Sequence, residues 1–178
     1  MDFDGLVDRY EKPIYNLVYR LLGDREEAAD LTQETFVAAY RSYSTFRGES
    51  TAYTWLYRIA VNKCKNKFKE KDRRKEYEGL SLDGGVDDEG SRNVIEKSVI
   101  SENPEAVLRR KELKEQIEQA ITKLPPDYRV VAVLRDLHGL SYEEIAKTAD
   151  LSVDVVRTRL ARARNMLRQR LESYLIEE

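Results

Sequence analysis

Apolar side chains recur along most of the 178-residue chain at intervals of three and four residues. Because this interval places them on one face of an α-helix, the pattern predicts helices that each bury an apolar stripe. Gly23 and Asp24 follow the first stripe and predict a helix C-cap and the N-cap of a second helix. With 8 Gly and 4 Pro, the chain has too few turn residues for an all-β fold, so we predict an all-α protein. The first stripe consists of Leu6, Tyr10, Ile14, Leu17, Val18 and Leu21.

The second predicted helix carries a polar face as well as an apolar one. Asp30, Gln33 and Glu34 are three and four residues apart, so they share one side of the helix. A face of this kind could dock a partner, although ordinary solvated surface produces the same pattern.

A third helix is predicted to start near Ser50, after Gly48 breaks the helical period. Its stretch 58–75 contains nine basic and two acidic residues, and Asn62 and Asn66 share one face within it. Asn is unfavourable inside a helix but can hydrogen-bond base edges, which favours nucleic-acid binding over a merely solvated face. Trp55, Leu56 and Ile59 have core spacing, and we expect most of the neighbouring aromatic residues in the core: Tyr40, Tyr43, Phe46, Tyr53 and Tyr57.

The C-terminal part of the chain contains clear signals for helix starts. Pro104 and the pair at 125–126 predict two helix starts. Ser141 and Glu144 form a predicted capping box, which starts a short helix that ends near Ala149. Ser152 then starts another helix. Two helix starts separated by so short a helix predict a helix-turn-helix.

The last predicted helix has two different faces. One is an apolar stripe, and six Arg stand on this helix between residues 154 and 170. Arg can bridge phosphate oxygens or the O6 and N7 atoms of guanine, which is the chemistry that major-groove binding needs. The stripe consists of Val153, Val156, Leu160, Ala163, Leu167 and Leu171, and the opposite side of Arg157, Thr158, Ala161, Arg162 and Asn165.

Charge is segregated along the chain although the net charge is only −2, which excludes a protein that merely coats nucleic acid. Residues 76–105 hold nine acidic and two basic residues, directly after the basic stretch. This segment includes GLSLDGGVDDEGSRN, whose Gly and Asp content is typical of a flexible linker. We therefore predict two small helical domains, 1–75 and 103–178, joined by a flexible acidic linker at 76–102.

Several classes of protein are excluded. One Cys cannot form a disulfide framework, and no apolar run reaches the ~20 residues that span a bilayer. The N-terminus lacks the features of a signal peptide. Cys64 is interpreted as incidental and His138 as part of a turn. With no catalytic triad, phosphate loop or ligand cluster, we predict neither an enzyme nor a metal or cofactor site.

Taken in order, the motifs resemble the extracytoplasmic-function (group 4) sigma factors of bacterial RNA polymerase. The resemblance covers both domains and is carried by DLTQETFVAAYRSYSTFRGES, YTWLYRIAVNKCKNK, LPPDYRVVAVLRDLHGLSYEEIA and VVRTRLARAR. It implies sigma domain 2 at 1–75 and a helix-turn-helix sigma domain 4 at 103–178. The function it implies is promoter-specific transcription initiation by a specificity subunit without catalytic activity.

The resemblance also assigns roles to individual residues. It implies docking on core RNA polymerase, at the β′ clamp coiled coil, by Asp30, Gln33 and Glu34. It implies −35 recognition by Arg157, Thr158, Arg159, Ala161 and Arg162. It implies recognition and melting of the −10 element, with capture of a flipped base, by Phe46, Arg47, Gly48, Glu49, Ser50, Asn62, Lys63, Asn66 and Lys67, and places Lys65 near the DNA backbone as well.

The implied partners are core RNA polymerase, through the β′ clamp coiled coil and the β flap, promoter DNA and an anti-sigma factor. The linker would thread toward the polymerase active-site cleft. The resemblance implies a cytoplasmic protein, with the anti-sigma factor as a candidate for holding it at the membrane. Asp154 and Val155 depart from the family, which commonly has Gly-Thr there, so the −35 sequence preference transfers less well.

Two alternatives remain open. A helix-turn-helix repressor or activator that uses only residues 103–178 would bind DNA without polymerase. A helical adaptor would bind protein only and would tolerate loss of the arginine face.

Overall fold

A computed structural model describes residues 2–46, 48, 51–78 and 103–175. These ranges contain helices and no strand, so the predicted all-α fold is confirmed. A wider π-helical turn, Val133–Leu137, directly follows the helix Pro126–Ala132. The helices are α1 (Phe3–Leu22), α2 (Arg25–Ser42), α3 (Ala52–Glu78), α4 (Pro104–Thr122), α5 (Pro126–Ala132), α6 (Tyr142–Ala149) and α7 (Val153–Leu175).

Capping side chains fix the helix ends where the sequence predicts them. Gly23 has a left-handed φ of 76°, and Asp24 Oδ1 accepts the Glu27 N–H at 2.8 Å to start α2. Ser141 and Glu144 bond each other's backbone N–H groups in a complete capping box. These local bonds set the sharp corners that turn α2 against α1 and orient α6 for the helix-turn-helix.

The N-terminal unit is a bundle of α1, α2 and α3. The stripe of α1 is buried as predicted, with Ile14, Leu17 and Leu21 fully inaccessible. Leu56 of α3 is also fully buried, while Trp55 and Ile59 pack against the core from its margin. Tyr40 does not lie in the core: its ring contacts only the edge of the bundle, at Phe3 of α1 with centroids 5.1 Å apart, and the residue is 67% exposed.

The C-terminal unit consists of α4–α7, and its helix-turn-helix is formed by α6 and α7. Val156, Leu160 and Ala163 of the predicted α7 stripe are buried, and Leu167 packs against them from the edge. Ser152 Oγ accepts the Val155 N–H at 3.2 Å and so caps α7. The stripe holds the opposite face of α7 toward solvent.

The predicted linker falls mostly on residues 79–102, which lie outside the described part of the chain. Residues 76–78, which we assigned to the linker, instead continue α3 to Glu78. The last turns of that helix carry an Arg74–Glu70 ion pair at 2.7 Å with i,i+4 spacing, which supports helix beyond residue 75.

Candidate nucleic-acid interface

The polar face of α2 is exposed. Asp30, Gln33 and Glu34 all point to solvent, while Leu31 and Thr35 on the other side are buried. The Thr35 hydroxyl donates to the Leu31 carbonyl at 2.7 Å, which satisfies it inside the bundle. The structure therefore brings the three predicted docking residues together on one accessible surface.

Two apolar residues extend this surface, and the sequence analysis assigned neither of them to it. Val37 is 50% exposed and Tyr40 is 67% exposed, one further turn along the same side of α2. Their positions continue the three- and four-residue spacing from Gln33 and Glu34, so the signal was present in the sequence. Apolar side chains beside polar ones are typical of protein-binding surfaces.

The asparagines of α3 lie on an exposed face of that helix. Asn62 and Asn66 are exposed, and Cys64 between them points the other way, into the core. Burial raises the pKa of the Cys64 thiol to about 12, so the thiol is protonated and inert at neutral pH. Arg58 and Lys69 are exposed at the same helical spacing as the asparagines, which adds cationic side chains to the face.

The lysines of α3 divide between two directions. Lys63 Nζ lies 3.3 Å from Glu34 Oε2, and Lys67 Nζ lies 3.5 Å from Glu70. Lys65, which the resemblance places near the DNA backbone, donates its ammonium to the Ala149 carbonyl at the end of α6 in this structure. Burial lowers the pKa of Lys65 there.

The predicted −10 loop is described only at Phe46 and Gly48. Arg47, Glu49 and Ser50 lie outside the described residues. The Phe46 ring stacks on Trp55 with centroids 4.7 Å apart, so it is anchored to the start of α3. Gly48 has a left-handed φ of 70° and no heavy atom within 4 Å of a Cβ position, so its backbone conformation and open surroundings suit a loop tip.

The N-terminal half of α7 presents the predicted −35 residues. Arg157, Thr158, Ala161 and Arg162 are exposed, and Arg159 is partly buried. All five therefore lie on or beside the solvent face of the second helix of the helix-turn-helix, the position from which such helices enter the major groove.

Each of the three arginines predicted for −35 recognition has a polar partner nearby. Arg157 pairs with Asp154 at 3.4 Å on its own helix. Arg159 pairs with Asp127 of α5, also at 3.4 Å. The Arg162 guanidinium donates to a phenol oxygen, that of Tyr128, at 3.4 Å. Exposed pairs of this length are weak and can be exchanged for phosphate or base contacts.

A shallow groove of about 580 Å³ runs between the start of α5 and α7. Asp127 and Tyr128 line it, and neither was predicted, because only tertiary packing places the start of α5 beside the arginines. Further along α7, Arg164 donates two hydrogen bonds to the Asp136 carboxylate, at 3.2 and 2.5 Å. The groove is lined by Pro125, Asp127, Tyr128, Asp154, Val155, Thr158, Arg159 and Arg162.

Within the described ranges, no group of three or more His, Cys, Asp or Glu side chains could hold a metal ion. Over the same residues, no helix has the length and apolar content to cross a bilayer.

Family comparisons agree with this geometry. Residues 6–74 match the family model described as Sigma-70 region 2, and residues 114–167 match Sigma-70, region 4. The first match spans most of the bundle α1–α3, and the second runs from the C-terminal half of α4 through most of α7. The two matched regions therefore contain the exposed faces of α2, α3 and α7.

Similar proteins span nearly the whole chain. The RNA polymerase sigma-H factor of Pseudomonas aeruginosa is 39% identical over 175 residues, which cover 98% of this chain and 89% of the relative. The ECF RNA polymerase sigma-E factor of Escherichia coli is 38% identical over 172 residues, covering 96% and 86%.

Two solved structures have a similar fold. The sigma factor RpoE of Bartonella quintana, in complex with the anti-sigma factor NepR, gives a TM-score of 0.72 at 22% identity, over 96% of this chain and 97% of that one. CnrH, in complex with the cytosolic domain of CnrY, gives 0.65 at 25% identity, over 96% and 88%. The chain therefore belongs to the extracytoplasmic-function sigma factors, the family of RNA polymerase subunits that give transcription initiation its promoter specificity.

Proposed function

We propose that this chain docks on core RNA polymerase through α2, reads and helps melt the −10 element through α3 and its preceding loop, and reads the −35 element through α7. The observation that carries the proposal is the α7 surface, where Arg157, Thr158 and Arg162 are exposed opposite the buried Val156 and Leu160. The same chain presents α2 and α3 with exposed faces of different chemistry, which neither a repressor confined to residues 103–178 nor an adaptor requires.

The α2 surface supports docking on the β′ clamp coiled coil. Asp30 and Glu34 supply negative charge, Gln33 supplies an amide, and Val37 and Tyr40 supply exposed apolar area. Together they give a surface with a polar, acidic part and an adjoining apolar part, which suits a basic helical partner.

The exposed stripe of α3 supports the −10 role. Asn62 and Asn66 can bond base edges, while Arg58 and Lys69 at the same spacing can bond phosphates. Extruding a base costs a few kcal/mol of unstacking, which contacts to the flipped base and backbone must return. The loop residues Phe46–Ser50 would complete this surface, with Phe46 held by Trp55.

The other partners rest on further observations. Val107, Leu108 and Leu113 are exposed apolar residues of α4, which supports a protein contact there, and we assign it to the β flap. RpoE occurs in a complex with the anti-sigma factor NepR, and CnrH in a complex with the cytosolic domain of CnrY; we propose an anti-sigma factor for this chain too. The acidic segment 76–102 would follow the path of nucleic acid toward the active-site cleft.

The experiment compares Arg162→Ala with Arg168→Ala in holoenzyme reconstituted from this chain and core polymerase. Both arginines are exposed on α7, but Arg168 stands beyond the groove. If Arg162 reads a base edge, its loss costs roughly 1–3 kcal/mol on the preferred −35 sequence and little on a scrambled one. Arg168→Ala leaves the discrimination unchanged. Binding is measured to both fragments at several salt concentrations.

Equal losses on both fragments, with a salt slope reduced by about one, would assign Arg162 to phosphate contact only. Wild-type affinity, discrimination and salt slope in both Arg162→Ala and Arg157→Ala would refute the −35 role of α7.

A further inference from the structure

The first turn of α7 carries an acidic side chain at the end of the helix that DNA must meet. Asp154 lines the groove between α5 and α7 together with Thr158 and Arg162, and its side chain is 92% exposed. In a helix-turn-helix, the N-terminal residues of the second helix contact base edges in the major groove. Asp154 therefore stands where a base edge is contacted, although its charge is repelled by the neighbouring phosphates.

The start of α7 does not depend on this carboxylate. Ser152 Oγ accepts the Val155 N–H at 3.2 Å and caps the helix. The Thr158 hydroxyl donates to the Asp154 carbonyl at 2.9 Å, so this contact involves the backbone of Asp154 and leaves its side chain to solvent. A negative charge near the N-terminus gains from the helix dipole, but any position of the first turn would provide that gain.

The carboxylate has a cationic neighbour on its own helix. Arg157 Nη1 lies 3.4 Å from Asp154 Oδ1, and the arginine side chain is 64% exposed. A pair this long and this exposed contributes little to stability. What the Asp154–Arg157 pair does provide is a hydrogen-bond acceptor beside a fork of donors, both at the solvent face of the helix.

The other carboxylate of the groove is placed differently. Asp127 of α5 pairs with Arg159 of α7 at 3.4 Å, and only 26% of the arginine side chain is exposed. This second pair links two helices and lies partly within the fold. Of the two pairs, the Asp154–Arg157 pair is the one that belongs entirely to the helix that enters the major groove.

A C·G base pair presents the groups that complement this arrangement. In the major groove cytosine offers its N4 amino group as a donor, and guanine offers O6 and N7 as acceptors. Carboxylates accept from cytosine N4, and an arginine can donate to both guanine acceptors. An A·T pair also offers an amino group, but thymine has a single acceptor and a methyl group beside it. Two adjacent side chains can therefore contact both bases of one C·G pair more fully than those of an A·T pair.

We propose that Asp154 and Arg157 act together as specificity-determining residues that read one C·G base pair of the −35 element. The proposal rests on the −35 role of α7 proposed above. Asp154 precedes Arg162 by eight residues, or about 12 Å of helix at ~1.5 Å per residue. This length corresponds to about three to four base-pair steps of ~3.4 Å, so the Asp154–Arg157 pair and Arg162 contact different base pairs.

The test measures base preference position by position. Holoenzyme is reconstituted from the full-length chain and core polymerase, and its affinity is measured for fragments in which each −35 position carries each of the four base pairs in turn. Asp154→Ala removes the acceptor, and Asp154→Asn replaces the carboxylate by an amide. The matched control is Glu172→Gln, which removes an exposed negative charge from the same side of α7, about five turns further along.

Wild type should prefer C·G at one −35 position by about five- to ten-fold, the lower part of the range for a base-edge contact. Asp154→Ala should reduce this preference to less than about two-fold and leave the other positions unchanged. It should also tighten binding to a scrambled −35 sequence, because a charge that repels phosphate is lost. Unfolding of α7 would have the opposite effect. Asp154→Asn should shift the preference at that position to A·T, since Asn bonds N6 and N7 of adenine. Glu172→Gln should keep the wild-type preferences.

Arg157→Ala tests whether the two residues act together. It should weaken the preference at the same position as Asp154→Ala, and the double variant should show no further loss there than the more affected single variant. Effects at two different positions would overturn the paired contact.

Two other results would also overturn the proposal. One is a change in affinity by the same factor for every fragment in Asp154→Ala, which would reduce Asp154 to a source of charge. The other is an unchanged base preference in that variant. In both cases the −35 role of α7 stands if Arg162→Ala still loses discrimination. A wild-type holoenzyme without preference at any −35 position would instead refute the proposed function, and this inference with it.

Discussion

Replacement of Arg129 is expected to be among the most destabilising changes of a charged residue in the described part of the chain. Its guanidinium donates to three carbonyls, those of Leu21 at 2.6 Å, Thr122 at 2.5 Å and Leu124 at 2.8 Å. The Leu21 and Thr122 carbonyls belong to the C-terminal ends of α1 and α4, which lack helical partners of their own, and the Leu124 carbonyl lies in the turn after α4. One side chain thus completes two helix ends, and burial lowers its pKa without removing its charge at neutral pH.

The loss of stability in Arg129→Met follows from the carbonyl groups that lose their hydrogen-bond donor. Hydrogen bonds to a charged group contribute about 1.5–3 kcal/mol each, so three would contribute roughly 4–9 kcal/mol if none were replaced. The Thr122 carbonyl is on an exposed side, where water can substitute, and Met keeps part of the aliphatic packing. Leaving two poorly solvated carbonyls unpaired costs about 3 kcal/mol. Arg129→Lys can reach one carbonyl and should cost about 2 kcal/mol.

Urea unfolding followed by circular dichroism measures this cost. With a slope of about 2 kcal/mol per molar urea, a loss of 3 kcal/mol lowers the midpoint by about 1.5 M. Arg168→Met is the matched control, because Arg168 is exposed on α7 and its replacement should shift the midpoint by less than about 0.3 M. A shift for Arg129→Met no larger than that of the control would refute the helix-end argument.

Two further predictions concern docking and pH. Gln33→Ala with Glu34→Lys should weaken core-polymerase binding by several kcal/mol at unchanged helicity, while Glu11→Lys, the same charge change at an exposed position of α1, should not. Equal affinities of the two variants would exclude the α2 face. Because burial in the folded chain lowers the pKa of His138 from 6.5 to about 4, the contribution of its neutral ring to stability is present above pH 6.5 and is lost as the pH falls toward 4. The free energy of unfolding from urea titrations should fall between pH 7 and pH 5 by about 1–2 kcal/mol more in wild type than in His138→Asn, a range that allows for solvent screening of this partly exposed ring. An equal fall in both proteins would contradict the lowered pKa of His138.

Local patterns predicted the helices and most of the exposed functional faces. Gly23, Asp24, Ser141 and Glu144 act through neighbours in sequence, so their caps could be predicted without tertiary information. The alternation of Val156 and Leu160 with the arginines fixes the two faces of α7 in the same way.

Contacts between segments far apart in the sequence could not be predicted from local patterns. His138 was interpreted as a turn residue, which it is, but its bond to Tyr57 spans 81 residues. Asp127 lies beside Arg159 only because α5 packs across α7. Most of the aromatic residues between Tyr40 and Tyr57 were expected in the core, and only tertiary packing shows that Tyr40 is not one of them.

The two roles assigned to α3 can be separated experimentally because they occupy different sides of one helix. Asn62 and Asn66 are four residues apart on the solvent side, with Arg58 and Lys69 at continuing helical spacing. Tyr57 and Phe68 lie on the buried side and meet the C-terminal unit through His138 and Arg129. A change on the solvent side should therefore alter promoter reading without lowering the free energy of unfolding, whereas a change on the buried side should lower the free energy of unfolding. A helix with a single undivided surface could not give both results.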